Sequence, residues 1–250
     1  ARRLELFREL RALPGAWTIL RVDGRGFSRL TETRFVKPFD PRFHDAMVEV
    51  ARALLRELGG VYVHTHSDEA SLVLAPDRVP FGGRVEKLAS IAAGVASATF
   101  TRATGELATF DARVALAARA DDVIEHLRWR QADAWRAGLQ TLCYWTLRAE
   151  GRSATDATRA LDALPIVGQR ALLAARGVDV AALPGWQLRG VDLHEVVAPH
   201  TGVDPRTGAR VETTRRRLRV VDDVPRGEAY TAHLRAVLGG GASPMRTTSG

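Results

Sequence analysis

The sequence predicts an α+β fold: a ferredoxin-like βαββαβ unit with an antiparallel sheet, then additional helices and a C-terminal β-hairpin. Three observations carry that expectation. Short β-rich runs alternate with stretches of helical periodicity in the first half. The second half opens on a long helical pattern without strand signals, and two β-rich runs near the C terminus flank a turn-rich segment.

In chain order, Leu4, Phe7, Leu10 and Leu13 sit at helical spacing and predict a helix over 2–13, stopped by Pro14-Gly15. Residues 17–22 read as a strand that ends at Asp23-Gly24-Arg25-Gly26. Asp40-Pro41, an N-cap followed by proline in the first turn, starts a helix carrying Met47, Val50, Leu54 and Leu58 up to Gly59-Gly60. Residues 61–65 and 70–74 predict a hairpin joined across Ser67-Asp68-Glu69, and a helix over 85–101 with a strand over 109–115 completes the βαββαβ order. Residues 121–149 predict one long helix or two abutting ones, Ser153 with Asp156 offers a capping box for another, and Pro165 starts a helix ending at Arg176-Gly177. Strands over 186–197 and 210–221, linked by the turn-rich residues 199–208, predict the final hairpin. The division expected is a βαββαβ region over 1–118, a helical region with the hairpin over 119–238 packed on it as one globular unit, and a disordered tail over 239–250.

Composition narrows the classes of function. Charged residues interrupt every apolar stretch before it reaches the length of a spanning helix, so no membrane partner is expected. The opening residues Ala1-Arg2-Arg3-Leu4-Glu5 carry no secretory pattern, and the single cysteine, Cys143, cannot form an internal disulfide; both point to a cytoplasmic setting. The net charge of +7 favours an anionic partner such as nucleic acid. Arginine greatly outnumbers lysine and asparagine is absent, a usage typical of GC-rich genomes, so the two lysines, Lys37 and Lys87, are the informative cations.

Two carboxylates stand out by position. Asp23 ends the first strand and Asp68 sits at the tip of the neighbouring hairpin, points that lie side by side in such a sheet. Paired carboxylates there suit Mg²⁺, and two ions would support in-line phosphoryl transfer. The same residues equally suit a turn and a hairpin cap. Gly24 and Gly26, within Gly24-Arg25-Gly26-Phe27-Ser28, let backbone N–H groups turn toward a triphosphate, although the spacing matches neither the common P-loop nor the dinucleotide fingerprint.

Together, residues 21–29 (RVDGRGFSR), 35–40 (FVKPFD), 66–71 (HSDEAS), 110–114 (FDARV) and 129–133 (WRQAD) resemble the tRNA-histidine guanylyltransferase superfamily, in order from about residue 17 to residue 190. The resemblance implies a polymerase-like palm over 1–118, a 3′-to-5′ nucleotide-adding activity, and a homotetramer. It implies that Asp23 and Asp68 ligate two Mg²⁺ ions with the Gly24 carbonyl, and that Asp23, Gly24, Arg25, Gly26, Phe27, Ser28, Ser67 and Asp68 bind nucleotide. It also implies that Lys37, Arg84 and Lys87 lie near nucleotide phosphates, with Lys37 taking part in catalysis. Arg113 and Arg130 fall near the RNA or a second nucleotide, Arg136 is a further candidate for RNA contact, and Glu69 follows the metal-binding aspartate.

One departure bears on the branch. Where eukaryotic members carry a His-Ile-Asn-Asn type motif, this chain has Trp135-Arg136-Ala137-Gly138 after Ala134. The resemblance therefore points to the guanylyltransferase-like branch of bacteria and archaea, which restores missing 5′ nucleotides of truncated tRNA by pairing with the opposite strand. ATP for 5′ activation and GTP or another NTP are the expected nucleotides, and tRNA the expected partner. Single-G addition and a catalytically inactive RNA-binding relative are the competing readings, as is a guanylate-selective site rebuilt from Trp135, Arg136 and Gly138.

Other residues have plainer readings. His64 and His66 share a strand face without the further ligands of a metal site and read as structural. Trp129, Trp135 and Trp145 read as core residues of the long helix, and Cys143 as a buried packing residue. Arg215, Arg216 and Arg217 form a charge run that, beside tRNA, would contact phosphates.

Overall fold

A computed structural model describes residue 5 and residues 7–239. The elements are β1 (Trp17–Arg25), α1 (Phe27–Arg34), α2 (Pro41–Leu58), β2 (Tyr62–His66), β3 (Glu69–Leu74), α3 (Val85–Thr104), β4 (Thr109–Ala117), α4 (Ala120–Ala149), α5 (Ala154–Leu161), α6 (Ile166–Ala174), α7 (Gly185–Arg189), β5 (Val191–Val203), β6 (Arg210–Val221) and α8 (Gly227–Gly239). The strands form one sheet in the order β4-β1-β3-β2-β5-β6, and every neighbouring pair is antiparallel. Its first four strands have the order of the expected βαββαβ unit, and the C-terminal hairpin extends that sheet by pairing β5 with β2.

Side-chain alternation gives the sheet two faces. Leu20, Val22, Leu72 and Leu74 point to one face and pack against Val50 and Leu54 of α2 and Leu88 and Phe100 of α3. Ile19, Tyr62 and Val73 point to the other, beneath Val123 and Leu127 of α4 and Tyr230 and Leu234 of α8. The far half of α4 runs past the sheet and builds a third cluster with α5, α6 and α7, in which Leu139, Cys143, Leu147, Leu161, Leu173 and Leu188 are buried. Burial pushes the Cys143 thiol up to about 11, which keeps it protonated and unreactive, as its packing role requires.

The local signals explain most boundaries. The Asp40 side chain accepts from the Arg42 N–H at the start of α2, and Gly59 closes that helix in the left-handed conformation. Residues 120–149 form one uninterrupted helix. Ser153 caps α5 by accepting from the Asp156 N–H.

Several expectations need correction. The predicted helix over 2–13 lies partly outside the described residues; in the described part the chain turns at Phe7 with φ 61° and pairs as extended backbone with the loop before α3. Ala12 N–H donates to the Gly83 carbonyl and Val85 N–H to the Leu10 carbonyl, so inter-segment bonds replace helical ones and leave Phe7, Leu10 and Leu13 exposed. The first strand runs on to Arg25, placing Asp23 within it. Trp186 belongs to α7, which starts after Pro184, so the strand expected from residue 186 begins at Val191. Helices α1 and α8 add to the expected set, and the tail over 240–250 lies outside the described residues while Gly239 ends α8.

Candidate active site

The carboxylates converge because of register. Asp23 on β1 stands opposite Glu69 on β3 and Asp111 on β4. Ser67 and Asp68 form the two-residue turn between β2 and β3, with Ser67 in the left-handed region at φ 52°. The Gly24 N–H donates to the Asp68 carbonyl at 3.0 Å, which fastens the end of β1 to that turn and brings Asp23 beside Asp68. A side chain on Gly24 would run into the ring of Phe27, so the close approach of this backbone requires glycine.

The charges around these carboxylates are unequally compensated. Glu69 accepts from Arg130 Nε and a terminal Arg130 nitrogen, each at 2.6 Å, and forms an ion pair with Arg21, whose Nε lies 3.1 Å away; Asp23 accepts from Arg21 at 2.9 Å. Asp68 has no ion pair among the described residues and accepts the Ser67 hydroxyl, at 3.0 Å. Burial raises the Asp68 pKa above the usual carboxylate range, and the nearby charges of Asp23 and Glu69 push it the same way. A divalent cation would relieve that strain. The donors fit Mg²⁺: hard oxygens from Asp23 and Asp68, with the Gly24 carbonyl adjoining. Glu69 does not join them, because two guanidinium groups hold it.

A cavity of about 420 Å³ opens from Ser67 and Asp68, past Ser28 and Lys37, to an aromatic wall of Phe39, Tyr144, Trp145 and Trp186. The loop carrying Lys37 is tied down by Asp40, which accepts from Val36 N–H at 2.7 Å as well as from Arg42 N–H at 2.8 Å. The bonds from Arg42 and Val36 hold the Asp40 carboxyl down at about 2. The Lys37 ammonium lies 5.5 Å from the Trp145 ring centroid, and burial lowers its pKa while Glu32 and Asp68 oppose the shift. His66 lines the same cavity, and burial holds its imidazole down at about 4, neutral near pH 7. Nothing in the sequence separated it from His64, which pairs with Asp192 elsewhere on the sheet.

Four expected site residues are placed differently. Arg84 and Lys87 stand at the start of α3, at the opposite end of the sheet from the carboxylates, because β3 leaves that edge at Glu69 and runs its full length before α3 begins. Arg84 is paired there with Arg11, so one chain cannot bring either residue to Asp23 and Asp68. The Phe27 side chain is core, edge-on to Phe43, Phe100 and Phe110, and only one edge borders the cavity. Arg130 is spent on Glu69 and Asp133 and is only 10% exposed, so it braces the site instead of reaching for RNA. Arg25 and Arg113 are exposed, Gly26 adopts φ 73° before α1, Arg136 pairs with Asp133, and Arg215, Arg216 and Arg217 project from the hairpin with Arg216 near Glu195.

The altered motif has a physical reading. Ala137 and Gly138 line the cavity, and a Cβ on Gly138 would stand 2.9 Å from the Gln187 carbonyl of α7, so no side chain fits there. Trp135 faces away, under the Arg226 guanidinium at 4.2 Å.

A ferredoxin-like sheet with two adjoining carboxylates and an aromatic cavity carrying Lys37 beside them is an architecture that suits metal-assisted phosphoryl transfer. Residues 1–118 match the family model described as tRNAHis guanylyltransferase. A tRNA(His) guanylyltransferase of Neurospora crassa is 29% identical over 152 residues, 56% of this chain and 52% of that protein. Among solved structures, a bacterial tRNA(His) guanylyltransferase-like protein in complex with GTP superposes with a TM-score of 0.69 at 22% identity, over 95% of this chain and 96% of the other. Another, in complex with ATP, gives 0.68 at 26% identity over 77% and 86%. By these matches residues 1–118 are similar to tRNA-histidine guanylyltransferases in sequence, and the fold of the chain is that of the bacterial guanylyltransferase-like proteins. The chain spans about half the length of the curated relatives it matches in Neurospora and Drosophila.

Proposed function

We propose that this chain is a template-dependent 3′-to-5′ nucleotidyltransferase that adds NTPs to the 5′ end of truncated tRNA after ATP-dependent activation, acting in the cytoplasm as a homotetramer. The observation that carries the reading is that Asp68, which has no ion pair among the described residues and is fastened beside Asp23 through the Gly24 N–H, lines the Lys37 cavity, so a nucleotide-sized space opens against it. The bacterial relatives with GTP and ATP support nucleoside triphosphates as substrates.

In the activation step the RNA 5′-monophosphate oxygen attacks the α-phosphorus of ATP and expels pyrophosphate. In the transfer step the 3′-hydroxyl of the incoming NTP attacks the activated 5′ phosphorus and expels AMP; a 5′-triphosphate end would expel pyrophosphate directly. Asp23, Asp68 and the Gly24 carbonyl would hold Mg²⁺, which when bound would supply charge neutralisation and activation of the hydroxyl. Lys37 sets a compact positive charge beside the phosphates, and Ser28 and Ser67 offer hydroxyl donors along the same wall. The aromatic wall gives the base a flat apolar surface.

Ala137 and Gly138 leave that stretch of wall without side-chain hydrogen-bonding groups, which favours selection of the nucleotide by the template base over selection by the pocket. Incubation of a 5′-truncated tRNA with each NTP separately tests this. G should be added opposite C, and C opposite G when the template is switched. Robust G addition opposite the A73 discriminator, indifferent to the template base, would overturn it.

A further inference from the structure

Trp129 carries an unused aromatic surface beside the reaction edge. It is 51% exposed on α4, and besides Phe7 it is the only aromatic among the exposed large hydrophobic side chains of the described residues. Its position is fixed. The Arg130 guanidinium carbon lies 4.4 Å from the indole centroid, and His126 meets the ring edge-on at 5.8 Å. Arg130 in turn is held by two 2.6 Å bonds to Glu69, the residue after Asp68, while Arg21 joins Glu69 to Asp23. A chain of short contacts therefore sets the indole at a defined place relative to both candidate metal ligands. An exposed aromatic braced in this way is poorly explained as core.

We propose that Trp129 is a stacking platform for the terminal nucleobase of the RNA end being extended, positioning its 5′ phosphate at the Asp23–Asp68 edge. The inference rests on the function proposed above. Stacking suits an enzyme whose acceptor ends differ in sequence, because every base presents a π face and the contact reads none of its hydrogen-bonding edges. The guanidinium groups of Arg113 on β4 and Arg136 on α4 are exposed and held by exposed carboxylates, Arg113 at 3.7 Å from Asp111 and Arg136 at 2.8 Å from Asp133, and phosphates can take over such solvent-facing pairs. A second copy of the chain covering the indole is the competing occupant, and the experiment separates the two.

The full-length protein, its Trp129→Leu and Trp129→Phe variants, and a 5′-phosphorylated acceptor-stem RNA with 2-aminopurine as the terminal 5′ base make the test. Wild type should quench the 2-aminopurine and Trp129→Leu should not. Trp129→Leu should raise KM for RNA roughly 5- to 100-fold, the range one stacked base supports, with kcat and the KM for NTP unchanged. Trp129→Phe should recover most of the loss. Equal quenching and equal KM in wild type and Trp129→Leu would overturn the platform, as would a changed sedimentation coefficient in Trp129→Leu, which would assign the indole to a subunit contact. Quenching by wild type without nucleotide addition to any RNA would sink the function proposed above and leave the platform standing.

Discussion

Asp192 is a buried aspartate within the sheet and Asp68 a half-buried one in the turn between two of its strands, and their surroundings push them in opposite directions. Asp192, at the start of β5, is fully buried; His64 Nδ1 lies 2.8 Å from one of its oxygens and His233 Nε2 3.4 Å from the other, with Tyr62 and Tyr230 joined beside them at 3.1 Å. Burial works against its charge, yet the bonds from His233, His64 and Tyr62 outweigh it and the pKa falls below the usual range. At Asp68 burial is not outweighed: the Ser67 hydroxyl compensates little, Asp23 and Glu69 add like charge, and the pKa rises. One carboxylate is bonded by His64 and has His233 of α8 at ion-pair distance on its other oxygen, contacts that tie α8 to the sheet. The other is left incomplete, which is how a site for an external cation differs from a structural buried charge.

The largest effect should come from Asp68 and Asp23. Replacing either with Ala is expected to cut nucleotide transfer by roughly 10³-fold or more. Thermal stability measured without divalent cations should stay level or rise for Asp68→Asn, because the variant removes a repelled charge. An Asp68→Ala protein keeping more than a tenth of wild-type activity would break the contrast.

Asp192 should show the reverse. Asp192→Ala strands His64 and His233 without their acceptor and is expected to cost about 3–5 kcal/mol of stability by urea denaturation. Activity per folded molecule should persist. Loss of activity in fully folded Asp192→Ala would mean that the buried cluster belongs to the chemistry.

How much of this contrast could be read from the sequence depends on range. Asp40-Pro41 announces α2 locally, and the strand-then-hairpin order suffices to bring Asp23 near Asp68. The pairing of His64 with Asp192 spans 128 residues and leaves no local trace. Helix α1 escaped because Gly26 caps it without a side-chain bond. The pattern of Leu4, Phe7, Leu10 and Leu13 misled because pairing with residues 83–85 outcompeted a short, uncapped helix. Arg84 and Lys87 came from resemblance alone, and strand direction separates them from the site.

A smaller effect is expected at Lys37. If its charge serves mainly while the 5′ end is adenylated, Lys37→Ala should slow reaction on 5′-monophosphate RNA roughly ten- to a hundredfold, and 5′-triphosphate RNA much less, as one lost phosphate contact implies. Single-turnover rates on the two RNAs check this. Equal losses would remove Lys37 from that step.

The smallest effect should be at His233, the outer of the two imidazoles on Asp192. Its side chain is 20% exposed and its contact is longer than that of His64, so His233→Gln should cost only about 0.5–1.5 kcal/mol, against several for Asp192→Ala. The sign of the pH dependence follows from the depressed pKa of Asp192. Its contribution is fully present above the unfolded carboxylate value, near 4, and is lost as pH falls through the lower folded value. Removing the His233 donor moves the folded value back toward the unfolded one. The variant should therefore lose less stability than wild type on acidification through that interval, so the two curves converge at the acid end. Stability curves from pH 7 down to pH 3 make the comparison, and a gap that widens toward acid would show that Asp192 is not the group held by His233.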